Sequence, residues 1–317
     1  MPPHVYGLAN DCYQNMLQNL ENQSVVISGE SGAGKTEETK QCVQFLAQIA
    51  RSDTDGTGPE QLLLGSSPIL ESFGNAKTLK NDNSSRFGKY LEIHFDASGK
   101  IVGGRTIKYL LEKSRIVANI GTNERNYHVF YQLAYLSEEA REELKYVGPD
   151  GYEYAKKAGC TVVEGLDDKA EFAEVTAAWQ AFGLEQEEIM QIYRVVAGVL
   201  YLGNVAFEEG ADGNSAVEND EVLDPIGELL QAEAEILETT LTMRNMTTGG
   251  EHLCSLRAES VNSCWICALA QARSSSSHSP SIKLWRRRKA WRKAHTRACS
   301  TMLSNGSTTW SRYAFGL

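Results

Sequence analysis

The order of elements at the start of the chain follows from the spacing of its apolar residues. One set of apolar residues recurs at helical spacing and predicts a first helix: Ala9, Cys12, Met16 and Leu20. The β-branched run 25–27 has the length and composition of a buried strand. A second helix, after a glycine-rich turn, carries one core-facing stripe: Cys42, Phe45, Leu46 and Ile49. The sequence therefore predicts strand, turn and helix in immediate succession.

A loop and a β-hairpin are predicted next. Residues 51–58 are polar and contain glycine, which is typical of a surface loop. Apolar and polar residues alternate over 91–95, and a turn at 96–99 leads into a second apolar run at 101–102. This alternation around a short polar turn predicts two antiparallel strands.

From about residue 124 onward the pattern is mostly helical. One long helix, ending near Gly203, has a continuous apolar face: Ile189, Ile192, Tyr193, Val196 and Leu200. Pro225 suits the first turn of another helix, which we expect to run to Arg244.

The balance of charge changes abruptly near residue 250. The chain of 317 residues carries 31 Lys and Arg against 41 Asp and Glu, a formal charge of −10. Residues 1–250 contain 20 basic and 39 acidic side chains, whereas residues 251–317 contain 11 and 2. A chain that is 42% hydrophobic and 23% charged is neither disordered nor collagen-like, but one composition does not describe both parts.

Localisation is predicted from what the sequence lacks and from its cysteines. There is no apolar run of about 18 residues, and residues 1–4 do not resemble the start of a secretory signal. Seven cysteines, an odd number and widely spread, fit a reducing compartment. We therefore expect a cytoplasmic protein with no transmembrane segment.

A phosphate-binding turn is predicted between the first strand and the second helix. The segment matches G-x-x-x-x-G-K-[ST] and consists of Gly29, Glu30, Ser31, Gly32, Ala33, Gly34, Lys35 and Thr36. The glycines allow backbone N–H groups to face one concavity, and the helix that follows adds its positive dipole end. Lys35 can reach the outer phosphates, and the Thr36 hydroxyl is a hard oxygen ligand for Mg²⁺. The alternative is a glycine-rich turn that binds no nucleotide.

A second polar segment, residues 81–89, lies just before the predicted hairpin. Its sequence, Asn-Asp-Asn-Ser-Ser-Arg-Phe-Gly-Lys, combines amides, hydroxyls and a guanidinium that can bond phosphate oxygens or a metal. Taken alone, the segment is equally compatible with a solvated polar loop.

Together the two segments resemble the phosphate-binding loop and the first switch loop of the myosin motor domain. The resemblance continues in family order through four further blocks: residues 71–78, 109–115, 124–133 and 200–204. It covers roughly residues 3–250 and implies a P-loop NTPase core of α/β class with a mixed central sheet. It also implies a largely helical upper actin-cleft subdomain at about 124–250.

The resemblance also implies roles for individual residues in binding ATP and Mg²⁺. Lys35 contacts the β and γ phosphates, while Thr36 and Ser85 complete the Mg²⁺ shell. Asn81 and Ser84 line the phosphate tube, with Ser84 near the attacking water. Arg86 pairs with a glutamate of a second switch loop of form D-x-x-G-x-E, which closes the site before hydrolysis. The catalytic set is then Lys35, Asn81, Ser84 and Arg86.

The resemblance implies a motor domain truncated at both ends. Segments 96–99 and 224–227 begin with the Asp and Gly of the second switch loop but lack its glutamate. We therefore expect this loop, the relay and the converter to be absent. Residues 251–317 then form an unrelated basic tail rich in Ser, Arg and Trp, either disordered or an out-of-frame reading.

The function implied is that of a fragment of an ATP-dependent, actin-based motor on the actin cytoskeleton. Members of the family are actin-activated ATPases, and the resemblance therefore implies actin as the partner. Two alternatives remain open: a non-catalytic nucleotide-binding module whose basic tail engages anionic lipid or nucleic acid, and a gene-model fragment that does not fold.

Overall fold

A computed structural model describes residues 4–30, 32–51, 58–118, 120–209, 215–248, 251–255 and 314–315. The predicted loop at 51–58 and the basic tail therefore lie almost wholly outside the described residues. The chain divides into two compact units. The first unit comprises Met1–Ala206, Asn219–Gln231 and Ser311–Leu317, and the second comprises Phe207–Glu218 and Ala232–Trp310.

The first unit contains ten of the described α-helices. They are α1 (Val5–Asn19), α2 (Lys35–Ile49), α3 (Pro59–Gly74), α4 (Ser114–Val117), α5 (Val129–Gln132), α6 (Glu138–Glu143), α7 (Glu153–Lys156), α8 (Asp168–Ala181), α9 (Gln186–Leu202) and α10 (Leu223–Leu230). Short 3₁₀ helices cover Leu133–Tyr135, Pro149–Gly151 and Asp220–Val222.

The strands of the first unit pair two by two. They are β1 (Val26–Ile27), β2 (Asn75–Thr78), β3 (Asn81–Ser85), β4 (Gly88–Phe95), β5 (Ile101–Tyr109) and β10 (Ala314–Phe315). The β1–β10 pair is parallel, whereas β2–β3 and β4–β5 are antiparallel hairpins. The described residues are thus a mixture of helix and sheet, but the mixed central sheet predicted from the sequence is not confirmed among them.

The second unit is small. It contains β6 (Phe207–Glu209), β7 (Ser215–Val217), α11 (Ala234–Thr242), β8 (Arg244–Thr248) and β9 (Glu251–Ser255). Both strand pairs, β6–β7 and β8–β9, are antiparallel.

The main hydrophobic core of the first unit is helical and rich in tyrosine. α9 contributes Tyr193, Ala197 and Leu200, and these pack with side chains of α5 and of the segments around it. Three of the buried tyrosines donate their hydroxyl protons to backbone carbonyls: Tyr131 to Ala155 (2.9 Å), Tyr146 to Phe130 (2.9 Å) and Tyr127 to Glu112 (2.7 Å). Satisfied hydroxyls allow these large side chains to be buried without an unpaired polar group.

Most of the predicted elements are confirmed. α1, α2 and the β4–β5 hairpin lie where the apolar spacing placed them, and α9 ends at Leu202 with Gly203 as its C-cap. The N-terminus of α9 is fixed by a capping box, in which the Glu185 and Glu188 side chains each bond the other's backbone region. Among the described residues no helix is both long and apolar enough to cross a bilayer.

Three predictions about elements are wrong. The single helix predicted over 225–244 is instead two helices, α10 and α11, because Gln231 adopts a left-handed conformation (φ 55°) that ends α10, and Arg244 begins β8. The run 25–27 is not a buried strand: Val26 is 64% exposed, because β1 is two residues long and has one equally short partner. The buried face of α2 is Cys42, Val43 and Ala47, whereas Ile49 is 40% exposed.

Candidate nucleotide-binding site

The turn between β1 and α2 requires glycine at two positions. Gly32 and Gly34 have φ of 84° and 86°, in the left-handed region that side chains other than glycine rarely adopt. Gly34 is the N-cap of α2, and its carbonyl accepts the Glu38 N–H at 2.9 Å. The first N–H groups of α2 have no partner within the helix, so they are available to an anion. Ser31 lies outside the described residues.

The Lys35 ammonium lies over this turn. Its Nζ donates to the backbone carbonyls of Gly29 (2.8 Å) and Glu30 (2.6 Å). These two bonds hold the positive charge against the loop that the motif predicts to surround phosphates. Lys35 is half-buried and its side chain is flexible, so exchanging carbonyl oxygens for phosphate oxygens requires little movement of the backbone.

The hydroxyls of Thr36 and Ser85 meet although they belong to α2 and β3. Thr36 Oγ1 and Ser85 Oγ are 3.2 Å apart, within hydrogen-bond distance; Thr36 is half-buried and Ser85 is exposed. Mg²⁺ binds oxygen at about 2.0–2.1 Å in octahedral geometry, so adjacent ligands are about 3 Å apart. The pair therefore fits two neighbouring positions around one magnesium ion. No cluster of three His, Cys, Asp or Glu suitable for a metal occurs among the described residues.

The second polar segment is largely a strand, not the loop that its composition predicts. Residues 81–85 form β3 and pair with β2, with Asn75 opposite Ser85 and Ala76 opposite Ser84. Asn81 Oδ1 accepts the backbone N–H of Asn83 at 2.9 Å, so this side chain bonds within its own strand. Only two residues separate β2 from β3, so the two segments can pair as a hairpin although the composition of 81–85 is typical of a loop.

Arg86 has a carboxylate partner that the sequence did not suggest. Its Nε donates to Glu112 Oε2 at 2.6 Å, and its NH1 donates to the buried Ser84 Oγ at 3.2 Å. Arg115 Nε donates to the same Glu112 oxygen at 2.8 Å. Burial raises the pKa of Glu112, but the two arginines outweigh it and hold the pKa below its usual value. Glu112 lies in the block 109–115, which was identified for its resemblance alone.

The motif D-x-x-G-x-E also occurs at residues 55–60, in addition to the partial matches at 96–99 and 224–227. Residues 55–57 lie outside the described residues, Gly58 is the N-cap of α3, and Glu60 is buried in its first turn. The segment precedes β3, whereas the resemblance places the second switch loop after the first. The segment therefore matches the motif, but its position along the chain is not that of the family's second switch loop.

Comparison with known proteins assigns the family. The family described as Myosin head (motor domain) matches residues 1–276. The chain is 46% identical to Myosin-1 of Neurospora crassa over 252 residues, and 42% identical to Myosin ID heavy chain of Dictyostelium discoideum over 252 residues. It is also 43% identical to Myosin IE heavy chain of Dictyostelium discoideum over 264 residues. The chain belongs to the myosin head family.

The matches cover most of this chain but a small share of each relative. They include 78%, 78% and 81% of this chain, against 20%, 23% and 26% of the three relatives in the same order. The chain thus spans about a fifth to a quarter of the length of these proteins. The family match extends past residue 250, where the composition changes.

Proposed function

We propose that the chain is part of an actin-based, cytoplasmic motor and binds Mg²⁺–ATP at the turn 29–36. The observation that carries the proposal is the 3.2 Å approach of the Thr36 and Ser85 hydroxyls from two separate elements. Thr36 is half-buried and Ser85 is exposed, so the pair lies at a surface that a solvated cation can reach. In our proposal both hydroxyl oxygens bind the same magnesium ion, which accounts for their closeness.

We assign the roles of the remaining residues from the family resemblance. Lys35 neutralises the β and γ phosphates, and the backbone of residues 29–34 with the α2 N-terminus surrounds them. Asn81 and Ser84 line the phosphate path, and Arg86 contributes positive charge beside it. Magnesium supplies charge neutralisation between the phosphates when it is bound. A P-loop core with a mixed central sheet belongs to this proposal.

Fluorescent mant-ADP titrations test the magnesium and phosphate contacts. We expect Lys35→Met to weaken binding about 10-fold or more, because a charge-assisted contact to phosphate contributes about 1.5–3 kcal/mol. Thr36→Ala should abolish most of the gain in affinity that Mg²⁺ gives over EDTA. Lys108→Met is the matched control, since Lys108 is exposed on β5. Equal affinities for wild type, Lys35→Met and Lys108→Met would overturn the proposal.

A second candidate function concerns residues 251–317, which contain 11 basic and only 2 acidic side chains. We propose that this segment is a basic module that binds anionic surfaces through electrostatic attraction. Deletion of 281–297 should lower affinity for phosphatidylserine vesicles and flatten its dependence on salt. An unchanged affinity after the deletion removes this candidate.

A further inference from the structure

Asn83 on β3 uses both ends of its amide to join three elements. Its Oδ1 accepts from Asn75 Nδ2 at 2.8 Å and lies 3.1 Å from His128 Nε2. Its Nδ2 donates to Glu71 Oε2 at 3.0 Å. The three partners lie at the start of β2, just before α5 and on α3. The Asn83 side chain is therefore fixed in position and in orientation.

His128 acts as a neutral donor in this arrangement. The ring is buried (1% exposed), and burial together with the nearby Arg125 lowers its pKa to about 3. Because Asn83 Oδ1 is an acceptor, the imidazole proton lies on Nε2. Nδ1 is buried and has no hydrogen-bond partner among the described residues, so this ring makes its one strong polar contact with Asn83.

Glu71 extends the connection to the helix that begins at the phosphate-binding turn. Its Oε1 lies 2.8 Å from Lys40 Nζ, and Lys40 is on α2 four residues after Thr36. The side chains of Lys40, Glu71 and Asn83 thus form a continuous link between α2 and β3. This link is separate from the direct contact between Thr36 and Ser85.

Strand geometry transmits the position of Asn83 to Ser85. The β2–β3 register shifts between Ala76 and Thr78, so alternation alone does not give the face of Asn83. Asn75 lies directly opposite Ser85, and its side chain donates to Asn83 Oδ1 at 2.8 Å, which puts Asn83 and Ser85 on the same face of β3. We propose that Asn83, held by His128 and Glu71, is a positioning residue that keeps the Ser85 hydroxyl beside Thr36 and thereby raises the affinity for Mg²⁺. This inference rests on the proposed function of the site.

The experiment measures the free Mg²⁺ concentration that gives half of the Mg²⁺-dependent binding of mant-ADP to the full chain. His128→Leu removes the donor to Asn83 while keeping similar volume, and we expect it to raise this concentration about 3- to 10-fold. His128→Gln retains an amide donor and should restore most of the wild-type value. Affinity for mant-ADP in EDTA should change less than the Mg²⁺ requirement in both variants, because the main phosphate contacts come from residues 29–35, which neither variant touches.

Two further variants separate positioning from stability. His94→Leu is the control for the loss of an imidazole, since His94 lies on β4 with half of its side chain exposed. Lys40→Met breaks the link at a partly exposed side chain, where loss of an ion pair costs little stability, and we expect about a 2-fold rise in the Mg²⁺ requirement. Thermal melting of each variant reports its stability independently.

Each outcome has one meaning. Wild type without Mg²⁺-dependent binding overturns the proposed function, and this inference with it. Wild type with Mg²⁺-dependent binding, but an unchanged Mg²⁺ requirement in His128→Leu and Lys40→Met, overturns the positioning role alone. If His128→Leu does not fold, Lys40→Met and His128→Gln decide, and an unchanged requirement in Lys40→Met overturns the inference.

Discussion

A buried arginine in the first unit is paired with a specific carboxylate. Arg125 is fully buried, and its guanidinium donates two hydrogen bonds to Asp168, at 2.9 and 2.8 Å. The same guanidinium lies 3.8 Å from the centre of the Tyr131 ring. Such a bidentate, stacked arrangement is specific to arginine, so lysine cannot replace it. We therefore expect the stability of this part of the interior to depend on the contacts of Arg125 with Asp168 and Tyr131.

Glu171, near this pair, forms no ion pair among the described residues, and its burial gives a pH prediction. Burial, together with Asp168 and Glu71, raises the pKa of Glu171 from 4.5 to about 7. A carboxyl with a raised folded-state pKa stabilises the protein below its unfolded pKa, and this stabilisation is lost as pH rises through the folded value. Stability attributable to Glu171 should therefore fall between about pH 4.5 and 7.

Urea unfolding of wild type and Glu171→Gln across this range is the measurement. The difference between the two free energies of unfolding should change in favour of Glu171→Gln as pH rises from 4.5 to 7. His128 has a lowered pKa and gives the opposite slope below 6.5, but it is common to both proteins and cancels in the difference. A difference that does not vary with pH contradicts the raised pKa.

Elements were predictable from sequence where local signals decided the structure. The apolar face of α9 and its flanking Gly203 fix a long helix, and the alternation in β4 and β5 fixes a hairpin. Local signals failed where partners far along the chain decide, as for β3, whose composition indicates a loop but which pairs with β2. The contact between Thr36 and Ser85 was implied by the family. The Arg86–Glu112 pair joins residues 26 positions apart and has no local signature.

The start of α2 gives a prediction at the scale of an element. Gly34→Ala places a side chain at φ 86°, and a Cβ there meets no atom within 4 Å, so the cost is backbone strain alone. We expect a loss of about 1–2 kcal/mol in the free energy of unfolding and weaker binding of mant-ADP.

Gly65→Ala is the matched control for this change. Gly65 lies inside α3, and a Cβ there also meets nothing within 4 Å, but the position carries no positive φ. Alanine should stabilise a helix interior by about 0.5–1 kcal/mol. Opposite signs for the two variants are expected in urea unfolding. Equal effects would show that the left-handed conformation at Gly34 is not required.

On the scale of the whole molecule, binding and turnover are separate properties. The residues that contact phosphate and magnesium in our proposal all lie in 29–86, within the first unit. Hydrolysis in a phosphoryl-transfer site also requires charge to be positioned around the transferred group. In this chain the Arg86 guanidinium is already bonded to Glu112 and to Ser84. Movement of the Arg86 side chain toward another carboxylate therefore competes with its bond to Glu112.

We therefore expect the purified chain to bind Mg²⁺–ATP weakly and to hydrolyse it at background rate, with or without actin filaments. Phosphate release under steady-state conditions is the measurement, with Lys35→Met as the background reference. Glu112→Gln loosens the hold on Arg86, so any latent turnover should increase in that variant first. Turnover by the wild-type chain that exceeds the Lys35→Met rate and rises with actin would contradict this expectation, because it requires Arg86 to act in hydrolysis while Glu112 still holds it.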